Sequence, residues 1–286
     1  MDTQQKITVI GSGVMGGAII GGLLQHGLTQ PDHITAVDLL DERLNELNKH
    51  YAINTTSDAV EAVKDVDVLI LSVKPQKLKS AIKDIKGKLK AHALVLSIVA
   101  GIPIKVLQEE LDHSCVVRAM PNTPAQIGQG ITVWTTSGDV TEEQKQVTQK
   151  ILLALGEEVF VEEEYYMDMA TALSGTGPAY VFLFMEALID AGVHLGFPRR
   201  TSEKLVLQTM KGSLEYYKGK KDHPAHLRNE VTSPGGTSAA AIYYLEKAGI
   251  RTALSRAVWA AYERSRELGR GKVTKHPESR ETEDHK

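Results

Sequence analysis

The sequence predicts an α/β fold: a doubly wound, mostly parallel sheet over the first 163 residues, followed by an all-α domain. Three observations carry this. Short apolar runs alternate with amphipathic stretches up to about residue 163, the order that builds βαβ units. Several of those runs, such as Val68-Leu69-Ile70-Leu71-Ser72-Val73, are almost continuously apolar, as strands buried on both faces are. Beyond residue 163 the strand signals stop and only helical segments follow.

The totals set bounds. The chain has 286 residues, 42% apolar and 24% charged, with a formal net charge of −3. That length supports a large core in one or two domains. No basic excess points to nucleic acid or an anionic membrane. Cys115 is the only cysteine, so an intramolecular disulfide and a cysteine metal cluster are excluded, and a reducing, cytoplasmic setting is expected. The first residues, Met1-Asp2-Thr3-Gln4-Gln5-Lys6, carry no secretory-signal pattern. No apolar run is expected to reach the roughly 18 residues of a membrane span.

The first strand is expected over 7–10. It ends in Gly11-Ser12-Gly13-Val14-Met15-Gly16, and a helix is expected over 14–26, ending at Gly27. A strand that turns sharply into a helix leaves free N–H groups at the helix start, and these attract phosphate. Gly11 would permit the turn, Gly13 would let a pyrophosphate approach the backbone, and Gly16 would let helix and sheet pack closely. The motif alone is weak. Flanked by a strand and a helix it predicts a Rossmann-type dinucleotide site. The second strand, 34–38, ends in Asp38. A carboxylate there either accepts hydrogen bonds from the adenosine ribose, leaning towards NAD(H), or caps a helix. Arg43, close behind, either reaches a phosphate or lies on a solvated helix face.

A helix follows near 42–50, a short strand near 52–55 and a helix start at Ser57-Asp58. Strands over 68–73, 93–99 and 115–120 end in Lys74-Pro75, Ala100-Gly101 and Pro121-Asn122-Thr123-Pro124. Their carboxyl ends should stand side by side on the cofactor side of the sheet. Arg118 is either a phosphate or substrate ligand or a salt-bridge partner. A strand over 128–134, an amphipathic helix over 142–155 and a strand over 159–161 complete the domain. Glu162-Glu163-Glu164 reads as a solvated corner.

The helical part opens with Ser174-Gly175-Thr176-Gly177-Pro178 before a helix over 179–194, with Pro178 suited to a first turn. Apolar residues lie nearly all round it, so it must be covered on most faces. A second copy of the chain is the economical cover, predicting a homodimer or higher homo-oligomer; burial within its own monomer is the alternative. Helices are expected over 203–217, 239–246 and 252–268, with a polar interval at 218–224 and then 227–231 leading to the next stretch. Between them, Thr232-Ser233-Pro234-Gly235-Gly236-Thr237-Ser238 offers hydroxyls and glycines at a helix start. That is either an anion cradle suited to a substrate carboxylate or ordinary capping. The histidines show no paired metal spacing, and His26, His194 and His223 sit at segment ends, where capping or solvent contact is expected. The tail, 270–286, is almost without apolar residues, and disorder is expected.

Five stretches in this order resemble pyrroline-5-carboxylate reductase: Gly11 to Gly16, Val73-Lys74-Pro75-Gln76, Arg118 to Pro124, Ser174 to Tyr180, and Val231 to Ser238. The last is the most specific. The resemblance implies an N-terminal Rossmann-type doubly wound sheet, residues 1–163, and an all-α C-terminal dimerisation domain, residues 164–269. It also implies an active site between the sheet's strand ends and the 233–238 loop, with a partner subunit contributing. Carried over, Gly11, Ser12, Gly13, Val14, Met15 and Gly16 hold the pyrophosphate. Val73, Lys74 and Pro75 line the cofactor, with Ala100, Gly101 and Asn122 around the nicotinamide. Ser233, Gly235, Gly236, Thr237 and Ser238 take the substrate. The implied reaction is reduction of 1-pyrroline-5-carboxylate to L-proline, the last step of proline biosynthesis, with NADPH or NADH, and with the Ser238 hydroxyl at the ring nitrogen. Departures are Ser238 where the family usually has Thr, Thr176 for Ser, and Asp58 near an Asn that faces the cofactor. Rival readings are a related imine or 2-oxo acid reductase and a non-catalytic NAD(P)H-sensing regulator.

Overall fold

The computed structural model describes residues 5–269; the tail expected to be disordered lies outside the described residues. In chain order the elements are β1 (Ile7–Ile10), α1 (Val14–Gln25), β2 (Ile34–Val37), α2 (Asp41–Tyr51), β3 (Asn54–Thr56), α3 (Ala59–Ala62), β4 (Val68–Leu71), α4 (Pro75–Ile82), β5 (Leu94–Ser97) and α5 (Ile104–Leu111). They continue with β6 (Val116–Met120), β7 (Gly130–Thr136), α6 (Glu142–Leu153), β8 (Gly156–Phe160) and α7 (Tyr166–Ala170). The remainder is helical: α8 (Gly177–His194), α9 (Arg199–Lys220), α10 (Pro224–Glu230), α11 (Thr237–Lys247) and α12 (Ile250–Gly269).

The chain divides into two compact units, 5–176 with 260–269, and 177–259, within the described residues. The first holds an eight-stranded sheet in the order β3-β2-β1-β4-β5-β6-β7-β8. Every pairing is parallel except β6 with β7. Strand side chains alternate faces, and the β4 run shows the consequence. Val68 and Ile70 enter a core with Ile19, Ile20 and Leu23 of α1. Leu69 and Leu71 enter a second core with Leu78, Ile82 and Leu107. A strand buried on both faces must be apolar throughout, as these residues are. Strand order reverses beside β1, and in such sheets ligands bind outside the carboxyl ends of the strands at that point. β1 pairs Ile10 with Val37 on one side and with Leu71 on the other, so three strand ends lie level there. The ends of β4, β5 and β6 adjoin, as expected.

Local chemistry sets the boundaries. Thr141 and Gln144 form a reciprocal capping box at the start of α6, which satisfies two otherwise orphaned donors. Asp58 caps α3, accepting from the N–H groups of Val60 and Glu61 at 2.9 and 3.1 Å.

Three expectations are corrected. Ser174 to Pro178 leads into the expected helix, but it follows helix instead of opening a separate one. α7 runs into a π-turn, Thr171–Gly175, and on into α8. The hydroxyls of Thr171, Ser174 and Thr176 satisfy carbonyls there, so hydroxyl-rich sequence that reads as a loop sits in helix. Second, the stretch Tyr166–His194 is helical, with a window of mean hydropathy 1.4 that is long and apolar enough to cross a membrane by length and composition. The expectation that no apolar run would reach that length does not hold for this helix by length and composition. Third, the 162–164 corner is not simply solvated: Glu164 accepts from the Ile104 N–H at 2.8 Å and from Arg118 at 2.9 Å.

In the second unit α8 and α9 pack together, with Ser202 donating to the Ile189 carbonyl at 2.7 Å. Ser202 is the only buried residue between 177 and 259. Phe182, Leu183 and Leu195 are 60, 67 and 80% exposed.

Candidate active site

The glycine turn leads directly out of β1. Gly11 has φ +89°, a region that only glycine enters freely. A Cβ there would also lie 2.6 Å from Val73 Cγ1 and 2.8 Å from the Ser72 carbonyl, so the turn sits tightly on the loop after β4. At Gly16 a Cβ would overlap the Gly11 carbonyl oxygen, which explains the third glycine as helix-to-turn packing. Gly13 differs: it is exposed, and a Cβ there would meet nothing within 4 Å. It is the N-cap of α1, makes no side-chain cap, and the first turn of that 12-residue helix carries no acid. Free N–H groups at the positive end of a helix, beside an open backbone surface, fit a pyrophosphate.

Asp38 stands at the carboxyl end of β2 and joins this turn. Its Oδ2 accepts from the Ser12 N–H at 2.9 Å, and Oδ1 accepts from the Leu39 and Leu40 N–H groups at 2.8 and 3.2 Å. The N-cap of α2 is Leu40, not Asp38. Arg43 lies on the other side of the turn. Its Nε donates to the Ser12 carbonyl at 2.6 Å, Nη2 to the Gly13 carbonyl at 3.3 Å and Nη1 to Glu46 at 2.6 Å. Arg43 is thus neither on a solvated face nor free: it fastens the glycine turn.

The other strand ends are placed as follows. Val73 packs on Gly11; Lys74 is the exposed N-cap of α4, with Pro75 in its first turn. Ala100 and Gly101 follow β5. Gly101, with φ +76°, is buried, and a Cβ there would meet Leu268 and the Ser265 carbonyl at 3.0 Å; its glycine is required by the last turns of α12. Asn122, after β6, donates to the Ser174 carbonyl at 3.2 Å and accepts from the Ile131 N–H at 3.0 Å. Its amide ties the β6 end to the π-turn. The structure therefore brings Gly11, Ser12 and Gly13 together with Asp38 and Val73.

Arg118 resolves to the salt-bridge alternative. Its side chain is 5% exposed, with Nη1 2.9 Å from Glu164 and Nη2 3.2 Å from Asp168. Ser265 of α12 donates to the same Asp168 oxygen at 2.7 Å. Glu164, Asp168 and Ser265 escaped sequence reasoning. The only signal was the four-residue spacing of two acids, Glu164 in the turn before α7 and Asp168 within it, a spacing common on solvated surfaces.

The second unit carries the other stretch singled out by sequence. Gly235 has φ +71°, and Gly236 N–H bonds the Ser233 carbonyl at 3.0 Å. Gly236 is the N-cap of α11, with no side-chain cap and no acid in the first turn. Thr237 and Ser238 are the first residues of that 11-residue helix. The loop therefore presents backbone N–H groups and hydroxyls rather than internal caps, a cradle suited to a carboxylate. His223 caps α10 through Nδ1, 3.2 Å from the Ala225 N–H, as its position at a segment end suggested.

Two family models match different stretches of the chain. Residues 164–268 match the family model described as pyrroline-5-carboxylate reductase dimerisation. Residues 6–101 match the one described as NADP oxidoreductase, coenzyme F420-dependent. The pyrroline-5-carboxylate reductase of Synechocystis sp. is 40% identical over 93% of this chain and 98% of its own. That of Arabidopsis thaliana is 37% identical over 92% and 95%. Among solved structures, Plasmodium falciparum pyrroline carboxylate reductase with NADP bound superposes with a TM-score of 0.85. It is 34% identical and covers 93% of this chain and 99% of that one. With identity at this level over nearly its whole length, the chain belongs to the pyrroline-5-carboxylate reductase family.

Proposed function

We propose that the protein reduces 1-pyrroline-5-carboxylate to L-proline with NAD(P)H. The observation that carries this is the pairing, in one chain of this family, of a glycine turn open at Gly13 with an uncapped hydroxyl-rich helix start at 233–238. Two cradles suit two anions, a dinucleotide and a substrate carboxylate. Bound NAD(P)H supplies the hydride that adds to the imine carbon. The chain's own work is to hold and orient. Gly11 to Gly16 take the pyrophosphate, and Asp38 faces the ribose. Val73, Lys74, Pro75, Ala100, Gly101 and Asn122 border the rest of the dinucleotide. Ser233, Gly235, Gly236 and Thr237 take the carboxylate and fix the ring, an orientation that contributes several kcal/mol. Ser238 donates a hydrogen bond to the ring nitrogen. A hydroxyl is a poor acid, so it holds that nitrogen while water delivers the proton.

The assembly in this reading is a homodimer or higher homo-oligomer in the cytoplasm. The exposed apolar faces of α8 and α9 support it, since 177–259 buries no apolar side chain of its own among the described residues. A second copy covers those faces, and the charges of Glu186 and Asp190 within α8 argue against lipid as the cover.

Mixing the protein with pyrroline-5-carboxylate and each reduced nicotinamide, then following absorbance and proline, tests the reaction. Proline formation is expected. Cofactor binding without turnover of this imine would refute it. Ser238→Ala should lower kcat about 10- to 100-fold with NAD(P)+ affinity unchanged; unaltered kcat would remove Ser238 from the mechanism.

A further inference from the structure

We propose that this chain prefers the dinucleotide without a 2′-phosphate, that Asp38 makes the discrimination, and that Arg43 is a positioning residue for the glycine turn rather than a phosphate ligand. The inference rests on the cofactor reading above and names which form of the cofactor the site takes.

Where a dinucleotide sits across a sheet of this order, the residue ending the second strand faces the adenosine ribose. A carboxylate accepts from the 2′-hydroxyl, whereas a nearby arginine accommodates a 2′-phosphate. This chain carries both groups, so sequence leaves the choice open. The geometry separates them. Asp38 is held from three directions, by the N–H groups of Ser12, Leu39 and Leu40. The carboxylate cannot swing aside without releasing all three. It stays partly exposed, so lone pairs remain for ribose hydroxyls.

Arg43 is turned the other way. Two of its nitrogens are on the Ser12 and Gly13 carbonyls and the third is on Glu46. Its side chain is 25% exposed, and it passes so close to Gly17 that any Cβ there would strike Nη2. To meet a phosphate it would have to release the very carbonyls that shape the turn. The local charge also opposes a phosphate: four carboxylates, Asp38, Asp41, Glu42 and Glu46, lie with one guanidinium, Arg43, within nine residues. Asp41 and Glu42 already occupy the first turn of α2, so that helix's positive end is complemented. A doubly charged phosphate placed here meets like charge.

The test is calorimetric binding of NAD+ and NADP+ to the full-length protein, without substrate, for the wild type, Asp38→Ser, Asp38→Asn and Arg43→Ala. Wild type should bind NAD+ about tenfold or more tighter than NADP+, since like-charge juxtaposition selects strongly against a partner. Asp38→Ser and the near-isosteric Asp38→Asn should each shrink that ratio. Asn keeps an acceptor, so it isolates the charge if Ser disturbs the turn. Arg43→Ala should weaken both dinucleotides within a factor of about two of each other, as loss of a loop fastening does. Equal or tighter NADP+ binding by wild type overturns the proposal, as does an Arg43→Ala loss confined to NADP+. Preferential NAD+ binding without imine turnover would leave this inference standing and defeat the proposed reaction instead.

Discussion

The two compact units are stabilised in opposite ways. In the first, the central strands β1, β4 and β5 are buried along their whole length, and Ile7, Ile20, Leu69, Ile70 and Ile82 are each 0–1% exposed. In the second, helices of similar apolarity leave their side chains in the open: Phe182, Leu183 and Leu195 are at least 60% exposed and only Ser202 is buried. Both obey the same rule, that apolar surface must be covered. The first unit covers it with its own chain. The second lacks the layers to do so, and in the proposed assembly a second copy covers it. On that proposal folding and assembly are one event for the helical unit and separate events for the sheet.

The largest effect should come from denying the second unit its cover. Leu183→Asp places a charge on the exposed face of α8. At a buried interface an unpaired carboxylate is strongly disfavoured, so the dimer dissociation constant should rise about a hundredfold or more. Sedimentation should show monomer or aggregate, while hydrogen exchange in the sheet stays protected. A Leu183→Asp protein that remains an active oligomer would break the comparison.

The reciprocal experiment attacks the first unit from within. Ile70→Ala removes a side chain at 0% exposure in β4 and should cost about 2–5 kcal/mol, read by urea unfolding of the sheet. Because the unit closes on itself, the cost should not depend on protein concentration. A concentration-dependent midpoint for the sheet would show that the units do not unfold separately.

The same contrast explains what sequence made legible. The sheet was readable because each strand announces itself locally: β4 is apolar throughout, and Gly11-x-Gly13-x-x-Gly16 marks its own turn. The level strand ends followed from order alone. α8 gave its apolarity, and from that a second copy as its proposed cover, but not which residues of a partner would meet it, because a partner leaves no local mark. The π-turn was missed because Thr171, Ser174 and Thr176 look like loop residues until their hydroxyls are seen on backbone carbonyls. Arg43 and Arg118 stayed ambiguous for the same reason. Their roles depend on Ser12, Gly13, Glu164 and Asp168, all distant in sequence, with only Glu46 close to Arg43, and charge alone does not say which partner is met.

Arg118 sharpens the comparison at the point where the first unit's later segments return to the sheet. Its guanidinium gathers Glu164 and Asp168, and through Asp168 also Ser265 of α12. Breaking a buried ion pair from one side costs 3–5 kcal/mol at most. The two acids keep 35 and 20% exposure, so solvent relieves part of that. Arg118→Met should therefore destabilise the first unit by about 2 kcal/mol, leaving dimer mass unchanged. A fall in dimer affinity equal to that in stability would tie this network to assembly instead.

The smallest effect belongs to the surface of the second unit, where polar contacts replace a core. Arg251 donates to Glu246 through Nε at 2.9 and 3.0 Å and through Nη2 at 2.7 Å, bridging α11 to α12 across Gly249. The guanidinium's hydrogen bonds, offset in part by desolvation, hold the Glu246 carboxyl below its ordinary value of 4.5. A depressed carboxyl pKa contributes stability above the unfolded value, and that contribution is lost as pH falls through the folded one. Glu246→Gln should thus lower Tm slightly at neutral pH and not at all once the wild-type carboxyl is protonated. Because the pair is exposed, about 0.5 M salt should erase even the neutral-pH difference. A Tm gap that survives both acid and salt would mean that Glu246 matters by packing, so that this surface also has an apolar underside the rest of the helical unit lacks.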